Sequence, residues 1–98
     1  MQQDIAVVPE VREGGRIFRL NEPIYLTRSA ENGYIYLRNR TLSILSYGCS
    51  PHDAVQAFQE DFGALWDFIA QADDATLTPD AIEVKNRLRA IVNAVVPE

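Results

Sequence analysis

Ser46-Tyr47-Gly48-Cys49-Ser50-Pro51-His52-Asp53-Ala54 decides the fold, because it reads as a strand end, a glycine turn and a sharply started helix. Ser50 is the expected N-cap, since its hydroxyl can accept an otherwise unpaired backbone N–H of the first turn. Pro51 suits the first helical position, where its fixed φ helps and no N–H is needed. Asp53 places a negative charge in the first turn, where the helix dipole favours it. Over residues 51–70, Val55, Phe58, Phe62, Leu65 and Ile69 recur at spacings of three and four. Ala54, Trp66 and Phe68 widen that stripe, which has the pattern of a core-facing helix. Its outer side carries Asp53, Gln56, Glu60 and Asp67. Gly63, mid-helix, costs about 1 kcal/mol relative to alanine and predicts a close contact or a slight bend.

Upstream, turn signals and alternation predict strands. Ile5 to Val11 is short, apolar and interrupted by Pro9, so residues 1–12 read as an edge strand or a loose arm. Glu13-Gly14-Gly15 is a turn signal and Arg16 to Leu20 a strand, which makes residues 5–20 a hairpin. Asn21-Glu22-Pro23 punctuates, and a strand resumes over 24–29. Asn32-Gly33 predicts a tight hairpin turn into the strand at 34–40. Leu42 to Tyr47 is a further strand, stopped by Gly48.

Alternation puts Ile24, Leu26, Ile35, Leu37, Leu42 and Ile44 on one face. The other face receives Tyr25, Tyr34, Tyr36 and Tyr47, with Thr27, Leu45, Arg38 and Arg40. The aliphatic face is the seat for helices. The tyrosine face is either a partner surface, since Tyr and Arg are enriched at interaction hot spots, or plain half-buried sheet packing.

Downstream, Thr78 and Pro79 repeat the cap-and-proline device of Ser50 and Pro51. Ala81, Val84, Leu88, Ile91 and Val95 form the apolar line of a second helix, joined by Ile82 and Val92. The expectation is one α+β domain over 1–98: an antiparallel sheet of three to five strands followed by two helices packed on one face.

Charge is unevenly spread. Net charge is −5, which argues against a generic nucleic-acid binder. Residues 41–84 contain no Lys or Arg, yet carry Asp53, Glu60, Asp61, Asp67, Asp73, Asp74, Asp80 and Glu83. That block is either a solubilising face or a surface that steers basic partners. A single cysteine excludes an internal disulfide framework, and no apolar run approaches the roughly 20 residues that span a bilayer, so a cytoplasmic protein is expected.

Little here points to catalysis. Cys49 and His52 are the one nucleophile–base pair to consider, but the sequence offers no orienting group for the histidine. One Cys and one His do not close a zinc site, and Asp73-Asp74 lacks the spacing of a calcium loop. The reading is no enzyme, no metal and no cofactor.

Gly33-Tyr34-Ile35-Tyr36 and Gly48-Cys49-Ser50, followed by Ala54, resemble the hairpin and helix entry of the HicB-like antitoxin superfamily, over roughly residues 24–62. Thr41 to Ser46 lacks that family's Pro- and Gly-containing third-strand segment, and the helix after Thr78 resembles neither of its usual DNA-binding regions. The resemblance implies a cytoplasmic, non-catalytic protein that masks a small basic RNA-cleaving toxin and tends to form a homodimer. The residues expected to meet a partner are Tyr25, Tyr34, Tyr36, Arg38 and Tyr47 on the sheet, and Asp53, Glu60 and Asp67 on the helix. The alternative is a nucleic-acid-associated regulator using Arg16, Arg19, Arg38 and Arg40 with the tyrosines.

Overall fold

Two glycine turns set up the sheet. Gly14 and Gly15 have φ of 64° and 74°, and Asn32 and Gly33 have φ of 52° and 82°. These left-handed pairs close two-residue hairpins whose twist matches that of the flanking strands. In the computed structural model, which describes residues 4–98, they join β1 (Asp4–Glu13) to β2 (Arg16–Glu31) and β2 to β3 (Tyr34–Asn39). β4 (Ile44–Gly48) completes the β1-β2-β3-β4 run, every pair antiparallel. The hairpin read over 5–20 is present, and its first strand lies at the sheet edge. Residues 1–3 of the expected arm lie outside the described residues.

Asn21-Glu22-Pro23 does not break the chain as its composition suggests. β2 runs through it for 16 residues. The irregularity appears in the register: Val8 pairs with Ile24 and Glu10 with Arg19, so Pro9 alone faces residues 20–23. Two prolines that cannot donate to a ladder are thereby gathered into one bulge.

The chain then enters α1 (Pro51–Leu65) as its sequence dictates. Ser50 is extended, with φ −146°, and its hydroxyl accepts from Asp53 N–H at 3.1 Å. The helix does not stay α-helical to residue 70; Trp66–Ala70 is a π-helical turn. That widening rotates the end of the stripe. Trp66 reaches the core edge-on to Phe18, with ring centroids 5.8 Å apart, while Phe68, expected to widen the buried stripe, is 76% exposed. Gly63 has its close contact: a β-carbon there would strike the Glu13 side chain.

A short 3₁₀ turn (Asp74–Thr76) leads to α2 (Pro79–Ile91), capped by Thr78, whose hydroxyl accepts from Ala81 N–H at 3.2 Å. α2 is shorter than its apolar line suggests. Val92–Pro97 is a strand, β5, antiparallel to the first part of β2, with Ile17 opposite Val96 and Phe18 opposite Val95. The apolar run around Val92, Val95 and Val96 suits either periodicity, and β-branched residues beside an open strand edge settle it as sheet.

Both helices lie on one face of the five-stranded sheet. Val11, Phe18, Leu26, Leu37, Leu42, Phe58, Phe62 and Leu88 are fully or almost fully buried between the layers. Leu42 belongs to the turn before β4 and is held there by its N–H donating to Asn39 Oδ1 at 2.8 Å. Gly48 lets β4 approach the start of α1: a β-carbon would sit 2.6 Å from Ala54 N, against backbone that cannot swing aside. Gly48→Ala is therefore expected to lower stability by roughly 1–3 kcal/mol, the usual cost of overpacking, read as a shifted urea midpoint at unchanged m.

Candidate functional site

With the helices on one side, strand alternation leaves the opposite face uncovered by any described element. Register brings its side chains into rows across the strands. Val7 lies beside Tyr25, and Ile5 beside Thr27. Thr27, Arg38 and Leu45 form the next row, Ser29, Tyr36 and Tyr47 the one after, and Glu31 stands beside Tyr34. All four expected tyrosines thus share one face, and none is sealed in the core. Tyr25 and Tyr47 are each 60% exposed, Tyr34 is exposed and Tyr36 half-buried.

Three of the rings touch. The Tyr34–Tyr47 and Tyr36–Tyr47 centroids are both 5.9 Å apart and Tyr34–Tyr36 6.4 Å. Such tilted contacts let the edge of one ring meet the face of another, so the cluster is ordered before any partner arrives. Beside it lies a shallow groove of about 470 Å³, lined by Glu31, Tyr36, Arg38 and Arg40 together with Thr27, Ser29 and Leu45. Ile5 and Val7, exposed on the same face, are members the sequence reading left unplaced. Their signal was the alternation Ile5, Val7 against Ala6, Val8.

The acidic residues are placed on the helix side, so the two expected surfaces are not one site. Asp53 and Glu60 are exposed and form no ion pair among the described residues. Asp67, the third expected residue, is already engaged. Arg16 donates to it in bidentate fashion, Nη1 to Oδ1 at 2.9 Å and Nη2 to Oδ2 at 2.8 Å. Arg16 also donates to Glu13 Oε1 at 2.9 Å and lies 4.8 Å over the Phe18 ring. It therefore clamps the start of β2 to the π-helical turn that follows α1, on the side of the sheet away from Arg38. Its hydrogen bonds hold the Asp67 carboxyl below the usual carboxylate range, and the same bonds hold the guanidinium above its own.

Cys49 and His52 are both exposed at the entry of α1. Ser46, the one buried polar residue among the described residues, donates its hydroxyl to Asp61 Oδ2 at 2.6 Å and so ties β4 to α1. No group of three or more His, Cys, Asp or Glu among the described residues could hold a metal ion, and no helix is long and apolar enough to cross a membrane.

Comparison with protein-family models, with curated proteins and with solved structures finds no match.

Because the Asp67 pKa is lower in the folded chain than in the unfolded one, its pairing stabilises above the unfolded value of about 4 and fades as pH falls through the folded value. Asp67→Asn is expected to cost up to about 1 kcal/mol at neutral pH, the ceiling for an exposed pair. Urea midpoints of variant and native chain should converge on acidification below about pH 4.

Proposed function

We propose that this chain is a non-catalytic interaction protein of the kind the HicB-like resemblance implies, acting in the cytosol on a small, basic protein partner such as a toxin. The observation that carries the reading of an interaction protein is the bare sheet face: Tyr25, Tyr34 and Tyr47, with Ile5, Val7 and Leu45, are exposed beside the half-buried Tyr36, and none of the described elements covers them. Monomeric proteins rarely leave contiguous apolar patches beyond a few hundred Å² without using them. Ordered tyrosines lose little conformational entropy on contact, which suits them to recognition. Asp53 and Glu60, free on the outer line of α1, set the sign of a hetero-partner's charge.

The nucleic-acid reading is weaker. It needs Arg16, Arg19, Arg38 and Arg40 on one surface, and Arg16 is committed to Asp67 and Glu13 on the helix side.

The test is to identify by mass spectrometry what the full chain retains at low salt, then to titrate the purified partner calorimetrically. A basic protein binding in fixed stoichiometry, at least tenfold more weakly to Asp53→Lys/Glu60→Lys and more weakly in high salt, is the expected result. Retention of nothing basic, or binding indifferent to both charge reversal and salt, contradicts the proposal.

A further inference from the structure

The outer strands of the sheet are not equally guarded. An open strand edge is a template for one more strand, and proteins defend it with proline, charge or a bulge. β1 carries Pro9 with its register shift, and Asp4, Glu10, Arg12 and Glu13 besides. β5 ends in Pro97. β4 has neither proline nor charge, and β3 is its one strand partner among the described residues.

Along the β4 edge runs a groove of about 460 Å³. It wraps the edge of the sheet: Leu45 lines it from the tyrosine side and Ile44 from the core side, while Ala64, Leu65 and Phe68 form the far wall. The π-helical turn is what brings the exposed Phe68 to this wall in place of the core. Asp61 is the single charged side chain that lines the groove. The Ser46 hydroxyl holds its carboxylate in place at 2.6 Å, and it forms no ion pair among the described residues.

Alternation then dictates what an added strand carries. In β4, Ile44 and Ser46 are buried under the helices, and Leu45 and Tyr47 are exposed on the other face. Antiparallel pairing, the more stable kind, sets one helix-side residue of the newcomer opposite Ser46, in reach of Asp61. The next residue on that side falls about 7 Å further on, opposite Ile44 and beside Leu65 and Phe68. The first position suits Lys or Arg and the second an apolar side chain, so the matching segment reads basic-x-apolar in its own chain order. β4 holds no Lys or Arg, so a second copy of this strand does not answer the charge.

Resting on the reading that the chain meets a basic protein, we propose that the β4 edge and its groove take an extended basic-x-apolar segment of that partner as an added strand. Main-chain hydrogen bonds supply the affinity, and Asp61 and the Phe68 wall select the sequence.

A nuclear magnetic resonance titration of the isotope-labelled full chain tests this. The probe is a synthetic capped hexapeptide in the order threonine, valine, lysine, threonine, leucine, threonine. The expected result is saturable shifts at the β4 amides, with slower hydrogen exchange at those on the open edge. Glutamate for the lysine, or serine for the leucine, should weaken binding at least tenfold. Two further peptides, each N-methylated on one set of alternate amides, separate strand addition from side-chain contact: one set should abolish binding and the other leave it intact. Asp61 and Phe68 are both exposed, so substitutions there are compatible with a native fold. Asp61→Asn, which keeps an oxygen for the Ser46 hydroxyl, should weaken the lysine peptide several-fold and leave a norleucine version unchanged. Phe68→Ser should weaken both at least tenfold, and Tyr25→Ser, on β2, neither. No binding at millimolar peptide overturns the proposal, as does binding indifferent to Phe68→Ser or to both methylation patterns. If the peptide fails while the full chain still retains a basic protein through Asp53 and Glu60, the groove is overturned and the wider function stands. If the peptide binds as expected and no basic protein is retained, the groove stands and the wider function is contradicted.

Discussion

Strand β2 must satisfy backbone hydrogen-bonding groups along 16 residues, more than any one neighbour supplies on both sides. β1 follows it along one edge, across the bulge at Pro9. The other edge is divided: β5 takes residues 16–20 and β3 takes 27–31. An unpaired buried backbone group costs about as much as a lost hydrogen bond, so this sharing constrains everything else. It brings the C-terminal strand back across the sheet and leaves α2 to pack on the 66–70 turn and on β2 and β5. Both helices are held to the Phe18 side, and the Tyr25 side stays open.

The helix layer is fastened by a few directional contacts in addition to apolar packing. Arg16 ties the start of β2 to Asp67, Ser46 ties β4 to Asp61, and Gln59 Oε1 accepts the Arg12 N–H from edge strand β1 at 2.9 Å. Arg89 and Lys85 donate to the carbonyls of Ala70 and Ala72, where the first helix ends. These contacts take up much of the chain's charge on the helix side. Arg38 and Arg40 form no ion pair among the described residues; Arg38 lies on the opposite face, and Arg40, just past β3, also lines a cleft with Asp80, Glu83 and Arg87 of α2.

How much of this was legible in the sequence depended on whether the signal was local. Caps at Ser50 and Thr78, the Asn32-Gly33 turn and the two-faced alternation of β2, β3 and β4 are short-range physics, and the structure has them where the residues place them. The strand at Val92–Pro97 was not legible, because its choice between helix and sheet is made by the distant free edge at residues 16–20. Phe68 was misplaced for a related reason: the π turn at Trp66–Ala70 changes the angular step, which a fixed helical period cannot follow. The tyrosine surface could be read residue by residue. The diversion of Asp67 and Arg16 into a mutual clamp could not, since they stand 51 positions apart.

The claim on which the account stands is that one sheet face is bare in the single chain. Residue-resolved tyrosine nitration, read by mass spectrometry on the dilute chain, addresses it without any partner. The account predicts Tyr25 and Tyr47 as the fastest sites, with Tyr34 close behind and Tyr36 slowest. Unreactive Tyr25 and Tyr47 in a folded, dilute chain would contradict it.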